Sequence, residues 1–244
     1  MESYFINNSS VNIHVLENGV PSSKTPSLLV IGGLWEPAER AIPILSGLSS
    51  HVVALSLRGR GLSSTPEVGY DLSDHLSDIE SVVKHCQLKN YCVLGFSRGA
   101  SYALGWSLKN QQNMSGLILV DQPPVHSKQS EESVEYWSNL VYQGVSLLNF
   151  MRRKAIEGLA RDVNMVDFSS DLTQLNLPVA FFVGRNEKAS IPSNVSDETL
   201  ELYKNTIHSC EIIEFLQSGH MIPDEEQQKY ISEIASFIKK IERK

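Results

Sequence analysis

Cysteine is scarce in this chain, with only Cys86, Cys92 and Cys210 among 244 residues. An odd count, wide spacing and no C-x-x-C pair exclude a disulfide framework and a cysteine-based zinc site, so core thiols are expected. Basic residues are also few. The 21 Lys and Arg against 28 Asp and Glu leave a formal net charge of −7, and the cations are scattered. Neutralising phosphates requires clustered cations, so nucleic acid is not expected as a partner. No apolar run approaches the roughly 20 residues that cross a bilayer, and no membrane span is expected. Met1-Glu2-Ser3-Tyr4 lacks the basic start and apolar stretch of a signal peptide, which makes the cytoplasm the expected location. The chain contains no G-x-x-x-x-G-K-[ST] and no H-E-x-x-H. Gly59-Arg60-Gly61-Leu62-Ser63-Ser64 nearly spells a dinucleotide loop, but serine replaces the third glycine and no ribose-binding acid follows at the expected spacing. Neither a cofactor nor a metal is expected.

Apolar residues make up 41% and charged residues 20%, enough to build a core and too apolar for disorder. Short apolar runs recur at Leu28–Ile31, Val52–Leu55, Tyr91–Leu94, Leu117–Val120, Val179–Val183 and Ile212–Leu216, separated by stretches of helical period. Continuous rather than alternating apolar runs mark parallel strands covered on both faces. The expected fold is therefore α/β, a predominantly parallel central sheet with helices on both faces, in a single domain over residues 1–244. Tyr4–Ile6 and Val11–Leu16 suit an antiparallel edge pair. From about 122 to about 175 the strand pattern lapses and helical segments rich in large side chains take over, the expectation being a small helical lid.

Between the run ending at Leu94 and a helical stretch from Ala100 to Asn110 stands Gly95-Phe96-Ser97-Arg98-Gly99. Such a string on a strand-to-helix turn is a nucleophile elbow, in which side chains at the two glycines would collide with neighbouring backbone. A serine hydroxyl needs a base, donors for the developing oxyanion and usually an acid to orient the base. His220, in the loop after Ile212–Leu216, is the base candidate. Glu187, just after Val179–Val183, is the acid candidate, and Asp121, just after Leu117–Val120, is the alternative acid. Ile31-Gly32-Gly33-Leu34-Trp35 supplies a tight turn, so the backbone N–H groups of Leu34 and Arg98 are the expected oxyanion donors. All these positions follow strands, so they converge at one sheet edge.

With these residues the chain resembles the α/β-hydrolase superfamily along essentially its whole length, in the order nucleophile, acid, histidine. Arg58-Gly59-Arg60-Gly61-Leu62-Ser63 is similar to the superfamily's R-G-x-G-x-S segment, which is structural there. The chain departs from the pattern at Gly32, where relatives carry a histidine that braces the oxyanion turn. It departs again at Glu187, where Asp is commoner, and at Ser56 or Leu57, where an aspartate is usual.

The resemblance implies a cofactor-independent, carboxylesterase-like serine hydrolase working through an acyl-enzyme. Lactonase, carbon–carbon hydrolase, thioesterase or haloperoxidase-like chemistry, or a non-catalytic receptor for a small ligand, are the alternatives. Trp35, Trp137, Tyr142 and Met221 are expected to line the substrate pocket, with a small apolar or amphipathic acyl compound as the partner.

Overall fold

The computed structural model describes residues 1–242. Eight strands form the main sheet: β1 (Glu2–Asn8), β2 (Val11–Asn18), β3 (Ser27–Ile31), β4 (Val52–Ser56), β5 (Tyr91–Phe96), β6 (Met114–Val120), β7 (Val179–Gly184) and β8 (Cys210–Phe215). Their order is β1-β2-β4-β3-β5-β6-β7-β8. Strands β3 to β8 pair in parallel, while β1 and β2 form the antiparallel edge. Every residue of β3, β4, β5 and β7 is buried, the burial that continuous apolar runs require.

Alternate side chains of each strand point to opposite faces, and two cores result. Leu29, Ile31, Val93, Leu117 and Phe181 pack on one face with helices α2 (Leu72–His85), α3 (Arg98–Asn110) and α6 (Asp197–Thr206). Leu28, Val30, Leu94, Ile118 and Phe182 pack on the other with α1 (Ile42–Gly47) and α7 (Gln227–Lys240), and this core runs on to α5 (Arg153–Asp162). Local chemistry sets several helix starts. Asp71 and Asp74 make a capping box at α2, and the hydroxyls of Ser130 and Ser196 cap α4 (Glu131–Asn139) and α6.

The connection from β6 to β7 holds α4 and α5. It also holds two-residue ribbons, Val125–His126 with Val166–Asp167 and Val141–Tyr142 with Val145–Ser146, which the sequence did not signal. A separate turn, Ile222–Glu225, precedes the last helix. It breaks from α7 at Glu226, whose carboxylate accepts Gln217 N–H and Ser218 Oγ–H. Cys92 is buried and Cys86 and Cys210 half-buried, all as free thiols. Among the described residues no helix is long and apolar enough to cross a membrane.

Candidate active site

Strand order reverses around β3, which lies between β4 and β5, and the crevice beyond the carboxyl ends of β3 and β5 is where open parallel sheets hold ligands. Ser97 stands on that edge between β5 and α3 with φ 51° and ψ −127°, a conformation rare for a residue with a side chain. The turn closes because the flanking residues lack Cβ atoms. A Cβ on Gly95 would lie 2.4 Å from Gly99 O and 2.6 Å from Ala100 Cα, and one on Gly99 would lie 2.3 Å from Gly32 O. The strained serine is held by its own N–H, which donates to Val120 O at 2.8 Å.

His220 Nε2 lies 2.9 Å from Ser97 Oγ, and His220 Nδ1 lies 2.6 Å from Asp121 Oδ2. With Nδ1–H donating to the carboxylate, Nε2 is left as the acceptor for the serine proton. His220 N–H donates to Ile191 O at 2.8 Å, and Gly219 N–H to Glu225 Oε2 at 2.8 Å, so the histidine loop is pinned from two sides.

The geometry corrects the first-choice acid. Glu187 is exposed and makes no contact with His220. Asp121, fully buried at φ 49° just past β6, occupies that position instead. Aspartate tolerates this left-handed backbone better than most residues. Three further donors fix its carboxylate: Gly184 N–H at 3.2 Å, Ser193 Oγ–H at 2.6 Å and Asn194 N–H at 3.3 Å. The end of β7 and the loop after it, where Glu187 lies, thus supply the groups that hold Asp121.

Leu34 and Arg98 border the same cleft as Ser97 and His220. Among the described residues neither backbone N–H has a hydrogen-bond partner. In place of a histidine at position 32, two charged side chains hold the turn. Glu36 Oε2 accepts Gly33 N–H at 2.9 Å, and Arg60 Nε–H donates to Leu34 O at 2.9 Å. Burial pushes the Glu36 carboxyl up from its ordinary value, against the opposing pull of Gly33 N–H and Arg40. Sequence reasoning missed both braces. Glu36 sits three residues past Gly33, a spacing that was the available signal, whereas Arg60 was hidden inside a segment read as structural. That segment does carry structure: Arg58 grips Asp78 with Nε–Oδ2 at 2.8 Å and Nη2–Oδ1 at 2.6 Å.

The cleft holds about 530 Å³ and is lined by both apolar and polar residues. Gln122, Ser127, Gln129 and Asn194 contribute polar groups, with Val125, Tyr136 and Ile191 between them. Trp137 lines it, its Nε1–H held by Gln129 Oε1 at 3.0 Å. Trp35, Tyr142 and Met221 do not line it. Trp35 packs at a tilt against Tyr142 and Phe150, Tyr142 donates to Asp224 Oδ2 at 2.8 Å, and Met221 is buried in the core. Adjacency to Leu34 and His220 in sequence misled, because successive side chains in these tight turns point in different directions. Among the described residues no group of three or more His, Cys, Asp or Glu side chains is placed to hold a metal ion.

Comparisons with known proteins agree with this architecture. The model of the alpha/beta hydrolase fold matches residues 26–178. The AB hydrolase superfamily protein YisY of Bacillus subtilis is 23% identical over 219 residues, 76% of this chain and 80% of that protein. N-formylmaleamate deformylase of Pseudomonas putida is 29% identical over 118 residues, covering 47% of this chain and 43% of that one. An esterase of Exiguobacterium antarcticum superposes with a TM-score of 0.80 at 20% identity, over 98% of this chain and 100% of the esterase. Sheet order, elbow and matched family model together establish that the chain belongs to the alpha/beta hydrolase fold family, a family of hydrolases.

Proposed function

We propose that this protein is a cofactor-independent serine hydrolase that cleaves an ester or a related acyl bond through an acyl-enzyme. The observation that carries the reading is the unbroken hydrogen-bond chain Ser97–His220–Asp121 opening onto the cleft. In the first half-reaction Ser97 Oγ attacks the acyl carbon while its proton passes to His220 Nε2. Asp121 keeps Nδ1 protonated and stabilises the imidazolium. The N–H groups of Leu34 and Arg98 take the oxyanion, each worth about 10²–10³ in rate by the standard of measured oxyanion donors. His220 then gives the proton to the leaving group as the bond to the acyl carbon breaks. In the second half His220 takes a proton from water, hydroxide adds to the acyl carbon, and Ser97 leaves with the proton returned.

The named relatives support acyl chemistry and differ in the bond they cut, one an esterase and one a deformylase. The test is labelling with a fluorophosphonate, which captures an activated serine, together with hydrolysis of a panel of esters. Wild type should label and turn over, and Ser97→Ala and His220→Ala should do neither. Equal turnover by wild type and Ser97→Ala would remove the proposal.

A further inference from the structure

Buried guanidinium groups are normally neutralised by carboxylates, as are the buried Arg58 and the half-buried Arg40. Arg58 is paired with Asp78 and Arg40 with Asp224, each at 2.6 Å. Arg60 and Arg98 differ: among the described residues no carboxylate oxygen lies within 4.0 Å of either. Arg60 is fully buried and spends its donors on Leu34 O, Arg58 O, His75 Nε2 and Tyr102 Oη. Arg98, 6% exposed, gives Nε–H to the same Tyr102 Oη at 2.9 Å and one Nη1–H to Ser127 O at 2.8 Å. Its Nη2 meets His126 Nε2 at 3.4 Å. Each terminal nitrogen carries two N–H groups, so Arg98 retains donors beyond these.

Two cations therefore share one buried tyrosine behind the cleft, which Arg98 lines, and the neighbouring histidines do not offset them. His75 Nδ1 faces Asp71 O while Nε2 faces Arg60, and His126 Nδ1 faces Ser101 Oγ while Nε2 faces Arg98, which leaves both rings neutral acceptors. Burial and Arg98 hold His126 down to about 3, in keeping with a positive wall. Arg98, Ser101 and Ser127 all line the cleft, and none of the residues that line it is Asp or Glu. The excess is local, because the chain as a whole carries −7.

We infer that the cleft takes an acyl substrate bearing a second, unreacting carboxylate, which the Arg98 guanidinium binds with Arg60 reinforcing the field behind it. The inference rests on the serine-hydrolase reading of the same cleft and adds the class of substrate to it. The far carboxylate undergoes no bond change; it fixes which acyl carbon faces Ser97. Gln122, Gln129 and Ser127 line the same cleft as Arg98.

Calorimetric titration of the full chain with glutarate and with its neutral diamide, glutaramide, separates charge from shape. Glutarate should bind about tenfold to a hundredfold more tightly, the gain expected of charge-assisted hydrogen bonds in a sheltered site. That preference should shrink to a few-fold in Arg98→Gln and largely return in Arg98→Lys, which keeps the charge. No preference in the wild type, or a preference that survives Arg98→Gln, overturns the inference. The wild-type comparison decides alone if the variants do not fold. Fluorophosphonate labelling of the same wild-type sample keeps the two readings apart. Labelling without a glutarate preference sinks only the substrate class, and a glutarate preference without labelling sinks the hydrolase mechanism.

Discussion

Replacing Asp121 by asparagine removes the charge opposite His220 while preserving volume. The carboxylate accepts four donors, from His220 Nδ1, Gly184 N, Ser193 Oγ and Asn194 N. A carboxamide offers a single acceptor oxygen, so at least one of these donors must face the NH₂ group. If that donor is the histidine, the ring turns to the tautomer with Nε2 protonated, which cannot take the Ser97 proton. The expected loss is about 10³–10⁴ in kcat, equivalent to about 4–5.5 kcal/mol of transition-state stabilisation. The buried mismatch also costs about 1–3 kcal/mol of folding stability. Glu187→Gln, on an exposed side chain, should keep kcat within about twofold of wild type, since surface changes seldom matter. Steady-state hydrolysis of one activated ester by the three proteins, with urea unfolding to show that each is folded, makes the comparison. Asp121→Asn retaining more than a tenth of wild-type kcat, or Glu187→Gln losing as much as Asp121→Asn, would refute this assignment.

Acid should weaken the fold through the neutral histidines. His126 is held down to about 3 from an ordinary 6.5 by burial and Arg98, and His75 is also well below its ordinary value. Below pH 6.5 the unfolded chain binds protons that the folded chain refuses, so this stability is complete above pH 6.5 and is lost as pH falls. Between pH 7 and 5 the His126 ring removes about 2 kcal/mol, and His75 acts in the same direction, measurable together as a falling urea midpoint. A midpoint unchanged over that range would contradict the assignment. In Gly99→Ala the new Cβ would press on Gly32 O and Ile31 O at 2.3 and 2.4 Å, both backbone atoms that cannot swing aside. A loss of at least about 2–3 kcal/mol is expected, with activity falling as the oxyanion turn shifts. Gly144→Ala, with nothing within 4 Å and only a φ of 79° against it, should cost about 1 kcal/mol in the same melt.

The sheet was legible because parallel strands buried on both faces leave unbroken apolar runs, and those runs coincide closely with β3 to β7. The edge strand β8 was legible less cleanly, its exposed Glu211 and Glu214 interrupting the apolar pattern. Ser97 and His220 could be singled out because each follows a strand and the elbow glycines have a steric task. The choice between Asp121 and Glu187 could not be made, because both are carboxylates just past strands that prove to be neighbours. What separates them is the left-handed backbone at Asp121 and the return of the 185–196 loop over it, neither of which leaves a local signature. Arg60 was hidden for a related reason, and Glu36 offered only its three-residue spacing past Gly33. Their partners are Leu34 O and Gly33 N–H, and a backbone atom used as a ligand gives a sequence little to match.

That 185–196 loop couples two strands through atoms that move no proton. Ile191 O holds His220, and Ser193 and Asn194 hold Asp121, so three positions within four consecutive residues clamp groups from the end of β6 and from the loop after β8. Loop redesign to reshape the cleft therefore has an uneven tolerance along one short stretch. Glu187, Lys188 and Ser190 are exposed, and insertions there have room to bulge into solvent. A single residue added or removed between Ile191 and Asn194 would pull His220 and Asp121 out of register with each other, and the chain would keep Ser97, His220 and Asp121 while losing their alignment.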